Sequence, residues 1–331
     1  MKKIIISLNI ILISFSANSQ EKFEWNIKNF TFLDNREYDR DFAKPQTIFG
    51  TRLDFTTGFR VDSVHLFQFG ADYLYEFGAR ANAIPLYPTI YYSFSNKHYD
   101  FSFGAFPRAN KLNYPRLLLN DTLQYYRPNI EGTYVNYKGK YGNQNLWIDW
   151  VGRQTDTNNE RFLAGTSGKL QDKSFFIENY LYMYHHAAAE IPDTSFQLRD
   201  NGGGLFLVGL DFTKKLYFKI SFGTAFSYDR FRPNPYIFSK GFYGKFVLEY
   251  KRMSVLVSHY QGDAMSLGYG DVLYKTGKYT RLDLEYNFIT HKRIKLYIQF
   301  SEHFYGGEIN MNQKLIFNIN LNGTRNAKFF N

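Results

Sequence analysis

From residue 23 to residue 321 the chain repeats one pattern: a run of alternating apolar and polar side chains, a turn, then another run. Residues 281–300, RLDLEYNFITHKRIKLYIQF, show it plainly. Leu282, Leu284, Tyr286 and Phe288 alternate with Arg281, Asp283, Glu285 and Asn287. After Thr290-His291-Lys292 the alternation resumes, with Ile294, Leu296, Ile298 and Phe300 set against Arg293, Lys295, Tyr297 and Gln299. A period of two places the two sets on opposite faces of a strand, and two such runs joined by a short polar turn make a β-hairpin. The fold then depends on what the apolar faces touch: a second sheet in a sandwich, lipid in a membrane barrel.

The connections favour the barrel. Strands are expected from near residue 23 and over 48–61, 64–77, 86–95, 98–107, 130–140, 145–154, 160–170, 174–185, 204–213, 216–229, 241–251, 253–261, 278–290, 293–304 and 309–321. That is about 16 strands, with 14–18 as the range. Short turns fall at Asp62-Ser63, Asn96-Lys97, Gly142-Asn143-Gln144, Asp172-Lys173, Lys214-Lys215, Arg252 and His291-Lys292. Longer links alternate with them, at 33–47, 78–85, 108–129, 155–159, 186–203, 230–240, 262–277 and 305–308. Short links at one rim and long ones at the other suit an all-β, up-and-down antiparallel transmembrane barrel, and a Greek-key sandwich has no reason for them. Closure also satisfies every backbone group inside hydrocarbon. No composition break divides residues 20–331, so one domain is expected.

The N-terminus agrees. Lys2 and Lys3 precede an apolar run from Ile4 to Phe15 and the small-x-small Ala17-Asn18-Ser19, the pattern of a signal peptide over residues 1–19. The chain has no cysteine, which excludes disulfides, a lipid-anchored N-terminal cysteine and thiolate metal sites. It carries 34 Phe and 28 Tyr, abundant aromatics for strands with one greasy and one wet face. Net charge is +10, or +8 once Lys2 and Lys3 leave. Export makes nucleic acid an implausible partner, so anionic headgroups and anionic solutes remain.

Signal, cysteine-free aromatic strands and two-rim links together resemble Gram-negative outer-membrane β-barrels of the porin type. That resemblance implies an outer-membrane, multi-pass barrel with both termini in the periplasm. It also implies a passive or weakly selective channel for small polar, anionic or neutral solutes, with no cofactor. Alternation points Arg52, Arg60, Arg153, Lys219, Lys245, Glu249, Arg281, Asp283, Glu285 and Lys295 into the lumen, where they would set selectivity. The longest link, RANKLNYPRLLLNDTLQYYRPN over 108–129, carries Arg108, Lys111, Arg116 and Arg127 against Asp121. By resemblance to the inward third loop of porins it is the candidate constriction, and Leu117-Leu118-Leu119 would be awkward fully exposed. Expected partners are outer-membrane lipid, lipopolysaccharide and the solute, with a second copy or an envelope protein also compatible. Two other readings stay open: a plugged structural or assembly component, and a barrel-embedded hydrolase.

Residues for catalysis look sparse. An outer-membrane phospholipase-type site needs His and Ser two apart on a lipid-facing strand; Ser258-His259 are adjacent, hence on opposite faces. Glu302-His303, with Glu308, lacks the second acid pair of a protease-type site. The expectation is therefore a protein that is not an enzyme. His185-His186 with Glu190 fails as a metal site for the same geometric reason, and no metal is expected. Gly202-Gly203-Gly204 and Gly268-Tyr269-Gly270 read as loop flexibility. Trp25, Trp147 and Trp150 suit interfacial belts. Tyr180, Tyr182 and Tyr184 share one strand face and would line the lumen.

Overall fold

The computed structural model describes residues 21–38, 43–79, 86–191, 197–213 and 216–326. The expected signal peptide lies outside these residues. The strands are β1 (Lys22–Glu37), β2 (Gln46–Val61), β3 (His65–Glu76), β4 (Leu86–Ser95), β5 (Tyr99–Pro107), β6 (Asn129–Lys138), β7 (Gly142–Gly152) and β8 (Arg161–Asp172). They continue with β9 (Phe175–His186), β10 (Arg199–Thr213), β11 (Tyr217–Phe231), β12 (Ile237–Tyr250), β13 (Met253–Gly262), β14 (Lys278–His291), β15 (Ile294–Tyr305) and β16 (Glu308–Asn326). Each pairs antiparallel with its sequence neighbours, and β1 pairs with β16 from Lys22↔Asn326 to Glu37↔Met311, closing a 16-strand barrel. β16 thus runs further than the LIFNINL core visible in the sequence.

Alternation sorts the two faces. Phe55, Phe67, Phe103, Leu146, Phe206, Phe222, Leu284 and Phe300 stand on the exterior, each more than a third exposed. The same strands send charged and hydroxyl side chains inward. An exterior apolar band around a closed hydrogen-bonded wall is what hydrocarbon demands.

Several boundaries differ from the expectation. Gly142-Asn143-Gln144, expected as a turn, opens β7, and β1 runs on to Glu37 into the expected link 33–47. β10 begins at Arg199, so Gly202-Gly203-Gly204 lies within a strand. These glycines make room: a Cβ on Gly202 would meet the Tyr228 hydroxyl at 2.6 Å, and one on Gly204 would meet Leu181 Cδ2 at 2.3 Å. β12 begins at Ile237, which shortens the preceding link to 232–236. The β15–β16 link contracts to Gly306-Gly307, with φ of 61° and 88°, left-handed values that glycine accepts at no steric cost. Gly268-Tyr269-Gly270 is a loop, as read.

Candidate functional site

At the rim carrying the longer links, two of them fold into the barrel. The first spans 108–128 and holds one helical turn, α1 (Leu123–Tyr126). The second spans 263–277 and ends in a 3-10 turn over Val272–Thr276, which Asp271 caps through Leu273 N at 3.1 Å. The loops clasp each other: Asn120 N donates to Tyr269 O at 2.7 Å, and Asp271 N donates to Arg116 O at 2.9 Å. Leu117, Leu118, Tyr125 and Leu273 are completely buried. Leu117 and Leu118 pack against the inner wall and Leu119 is buried beside them, and the greasy run in the sequence was the signal for it. Aromatic contacts fix the loop: Tyr125 stacks on Phe32 with centroids 4.5 Å apart, and Tyr114 accepts from Trp147 Nε1 at 2.9 Å. Trp147 therefore faces inward and is buried, contrary to its expected place in an exterior belt. Trp150 does face outward, stacked on Phe162.

Asp121 is the electrostatic centre of this plug. Its carboxylate accepts from Lys314 Nζ at 2.5 Å and Arg36 Nη2 at 3.2 Å, with Arg116 Nη1 at 3.3 Å. Arg116 reaches on to Asp271 at 2.5 Å. Burial by itself would raise the Asp121 pKa, but Arg116, Lys314 and Arg36 outweigh it and hold the carboxyl well below the usual carboxylate range.

The expected constriction residues are thus placed as fasteners. Arg108 bonds Asp149, Arg127 stands 3.8 Å from the same acid, and the Lys111 ammonium lies 4.8 Å over the Tyr134 ring. Of the expected lumen residues, Arg52 bonds Asp72 at 2.5 Å and donates to Tyr125 O of the plug. Arg60 pairs with Glu24 at 2.5 Å, Lys219 with Glu178 at 2.6 Å, Arg281 with Asp283 at 2.5 Å, and Lys295 with Glu285 at 3.2 Å. Lys245 faces inward without an ion pair among the described residues, and Glu249 is exposed at the short-turn end of β12. Arg153 is not a lumen residue: β7 ends at Gly152, and Arg153 is exposed in the following link. Tyr182 and Tyr184 point inward but are buried rather than lining an open passage, and Tyr180 packs edge-on against Tyr114. The loop-side half of the lumen is filled. The turn-side half is wet, with the side chains of Lys28, Lys138 and Lys295 exposed by 37%, 35% and 43%.

The exterior wall carries the second constellation. Ser258 is buried inside and His259 faces outward, as their adjacency requires. The partner of His259 comes from the next strand: Thr280, its direct register neighbour on β14, places Oγ1 2.7 Å from Nδ1. On the other side the register neighbour is Gly244 of β12. A Cβ there would find only a Phe242 ring carbon at 3.6 Å, so the wall beside the imidazole is notched. Two residues loopward on the same strands stand Gln261 and Lys278, themselves register partners. Glu302 pairs in register with Leu282 and sits diagonal to Thr280, on the same face as Val257, Leu282, Phe242 and Phe304. Three residues separate His259 from the loop end of β13, about 10 Å of strand. The other adjacent pair, Glu302-His303, splits as geometry demands, with His303 buried inside against Tyr279 OH at 2.6 Å. The Thr280 partner is not visible along one strand, because it meets His259 only through the β13–β14 register. Among the described residues no cluster of three or more His, Asp or Glu could hold a metal ion.

Comparison with solved structures returns outer-membrane porins. A loop-deletion variant of OmpT from Vibrio cholerae aligns with TM-score 0.56 at 11% identity, over 91% of this chain and 100% of that one. An anion-selective porin from Comamonas acidovorans aligns with TM-score 0.54 at 10% identity, over 92% and 100%. A variant of the Rh. blastica porin gives 0.51 at 11%, over 90% and 100%. At these identities the likeness establishes an outer-membrane barrel fold alone. No curated protein sequence matches. A family model described as lipid A 3'-O-deacylase-type matches residues 15–325. It overturns the expectation of a non-enzyme. The chain belongs to the lipid A 3'-O-deacylase-type family of outer-membrane β-barrels.

Proposed function

We propose that this chain is an outer-membrane acyl-ester hydrolase that works on its exterior wall, on a lipid of the lipid A type in the leaflet next to the loop rim. One observation carries the reading: an imidazole and an aliphatic hydroxyl, His259 Nδ1 and Thr280 Oγ1, 2.7 Å apart on the hydrocarbon-facing side of a deacylase-family barrel. A polar pair costs free energy where lipid tails should lie, and it stays in place only for a reason. A nucleophile within hydrogen-bond reach of a base is the arrangement acyl transfer needs.

The steps follow from these positions. The neutral imidazole takes the Thr280 proton as Oγ1 attacks the ester carbonyl. It returns that proton to the departing sugar oxygen, leaving an acyl-threonine. Water, activated by the same imidazole, then cleaves the acyl-threonine to a free fatty acid and restores the hydroxyl. Gly244 leaves the space in which an acyl chain reaches the dyad. Gln261 and Lys278 supply donors on the loopward side, where the carbonyl oxygen gains charge and where an anionic headgroup sits. We place the short turns and both termini in the periplasm, which puts the dyad in the outer leaflet, and we read residues 1–19 as the export signal.

Diffusion of small polar solutes is the reading the porin-like fold first suggests. The charged wall of the wet half favours it, but a through-path needs loops 108–128 and 263–277 to leave the lumen. The test is fatty-acid release from lipid A by the purified, folded chain in mixed micelles. Wild type and Thr280→Ser are expected to release acyl chain, and Thr280→Ala to lose at least a hundredfold in rate. Equal rates for wild type and Thr280→Ala would remove the dyad from the reaction.

A further inference from the structure

We propose an oxyanion-binding site inside the barrel, on the floor of the wet vestibule, formed by Lys245 between Ser221 and Ser258. The three residues are consecutive register partners on β11, β12 and β13, Ser221↔Lys245 and Lys245↔Ser258, and all point inward. Tyr243, two residues loopward on β12, is buried against the plug, so the row marks where the filled half ends.

Two independent observations point to a ligand. Seven other inward wall cations are matched to acids: Lys28 to Asp54, Arg52 to Asp72, Lys138 to Asp100, Lys169 to Asp211, Lys219 to Glu178, Arg281 to Asp283 and Lys295 to Glu285. Lys245 has no such partner among the described residues. The charges facing it are Lys219, Glu178, Arg281 and Asp283, and each acid is already taken by its own cation. Three cations against two acids leave one positive charge. Secondly, Ser221 is 1% exposed and its Oγ has no hydrogen-bond partner among the described residues. A buried hydroxyl left unpaired, beside an ammonium left unpaired, lacks an acceptor that both could share. An oxygen-bearing anion, carboxylate or phosphate, supplies it: it accepts from Lys245 Nζ and Ser221 Oγ, within reach of the Ser258 hydroxyl. The exposed side chains of the vestibule give small solutes a way in from the turn rim. This site lies on the opposite face of the wall from the His259–Thr280 dyad and does not depend on it.

The experiment is calorimetric titration of inorganic phosphate, and separately of acetate, into the full folded barrel in detergent at constant ionic strength. Wild type is expected to show saturable, one-to-one binding of at least one probe. Lys245→Met should abolish it, and Ser221→Ala should weaken it roughly tenfold. Binding by phosphate alone would assign a phosphate-type ligand, and binding by both a carboxylate-tolerant one. Lys245→Met removes an unmatched charge and should leave the barrel at least as resistant to heat unfolding as wild type, so loss of binding is separable from loss of fold. Identical titrations for wild type and Lys245→Met, or no saturable binding by wild type, would overturn the proposal.

Discussion

The Asp121 carboxylate should be the latch of the plug, and removing it should open the barrel. In Asp121→Ala, Arg36, Arg116 and Lys314 lose a shared acceptor that now lies 3.2, 3.3 and 2.5 Å away. Breaking a buried ion pair from one side costs about 3–5 kcal/mol. Part of that is recovered here, because Arg36 keeps Asp34 at 2.6 Å and Arg116 keeps Asp271 at 2.5 Å. A net loss of about 2–3 kcal/mol for the docked loop follows, a shift of roughly 30- to 160-fold towards the undocked state. Planar-bilayer conductance reads this directly. Wild type should be silent for long periods, and Asp121→Ala should show stepwise openings while still migrating as a folded barrel in unboiled gels. A folded Asp121→Ala as quiet as wild type would refute the latch. Steady wild-type conductance would refute the plug itself.

Further outcomes follow from the same structure. The depressed Asp121 pKa means that its stabilisation is complete above the unfolded value, about 3.9, and is lost only as pH falls through the lower folded value. Bilayer silence should therefore persist from pH 8 to pH 5. Leu118→Ala, at a completely buried plug position, should cost about 2–5 kcal/mol and lower the temperature at which unboiled protein shifts to its heat-modified mobility. Gly203→Val should impair folding, because its Cβ would lie 2.5 Å from the Phe226 backbone carbonyl oxygen. Gly244→Leu should leave the fold intact, fill the notch beside His259 and reduce acyl release at least tenfold.

Much of this architecture was legible in the residues. The period-2 runs and the alternation of short and long links gave a barrel of the right strand number, because in a closed wall the inside-outside rule applies to every strand. The inward loop could be foreseen from Leu117-Leu118-Leu119, three apolar side chains with nowhere dry to go but the lumen. Its consequence could not. Whether Arg108, Arg116 and Arg127 ring an opening or bolt a plug depends on Asp149 and Asp271, which lie on another strand and another loop, far away in sequence. The strand start at Arg199 was hidden by a glycine run that looks like a loop until the rings of Tyr228 and Phe226 occupy the space. The His259–Thr280 pair escaped for a related reason. Its members are 21 residues apart and meet only through the β13–β14 register. The family match supplied what periodicity cannot, since fold and function are separable on a barrel wall.

The most direct test of a lipid-facing hydrolase is the mass of lipid A from outer membranes that carry either wild type or His259→Gln, folded to equal levels. The expected result is a lipid A population lighter by one acyl chain with wild type and unchanged with His259→Gln. Indistinguishable spectra from the two membranes would contradict the assignment of catalysis to this wall.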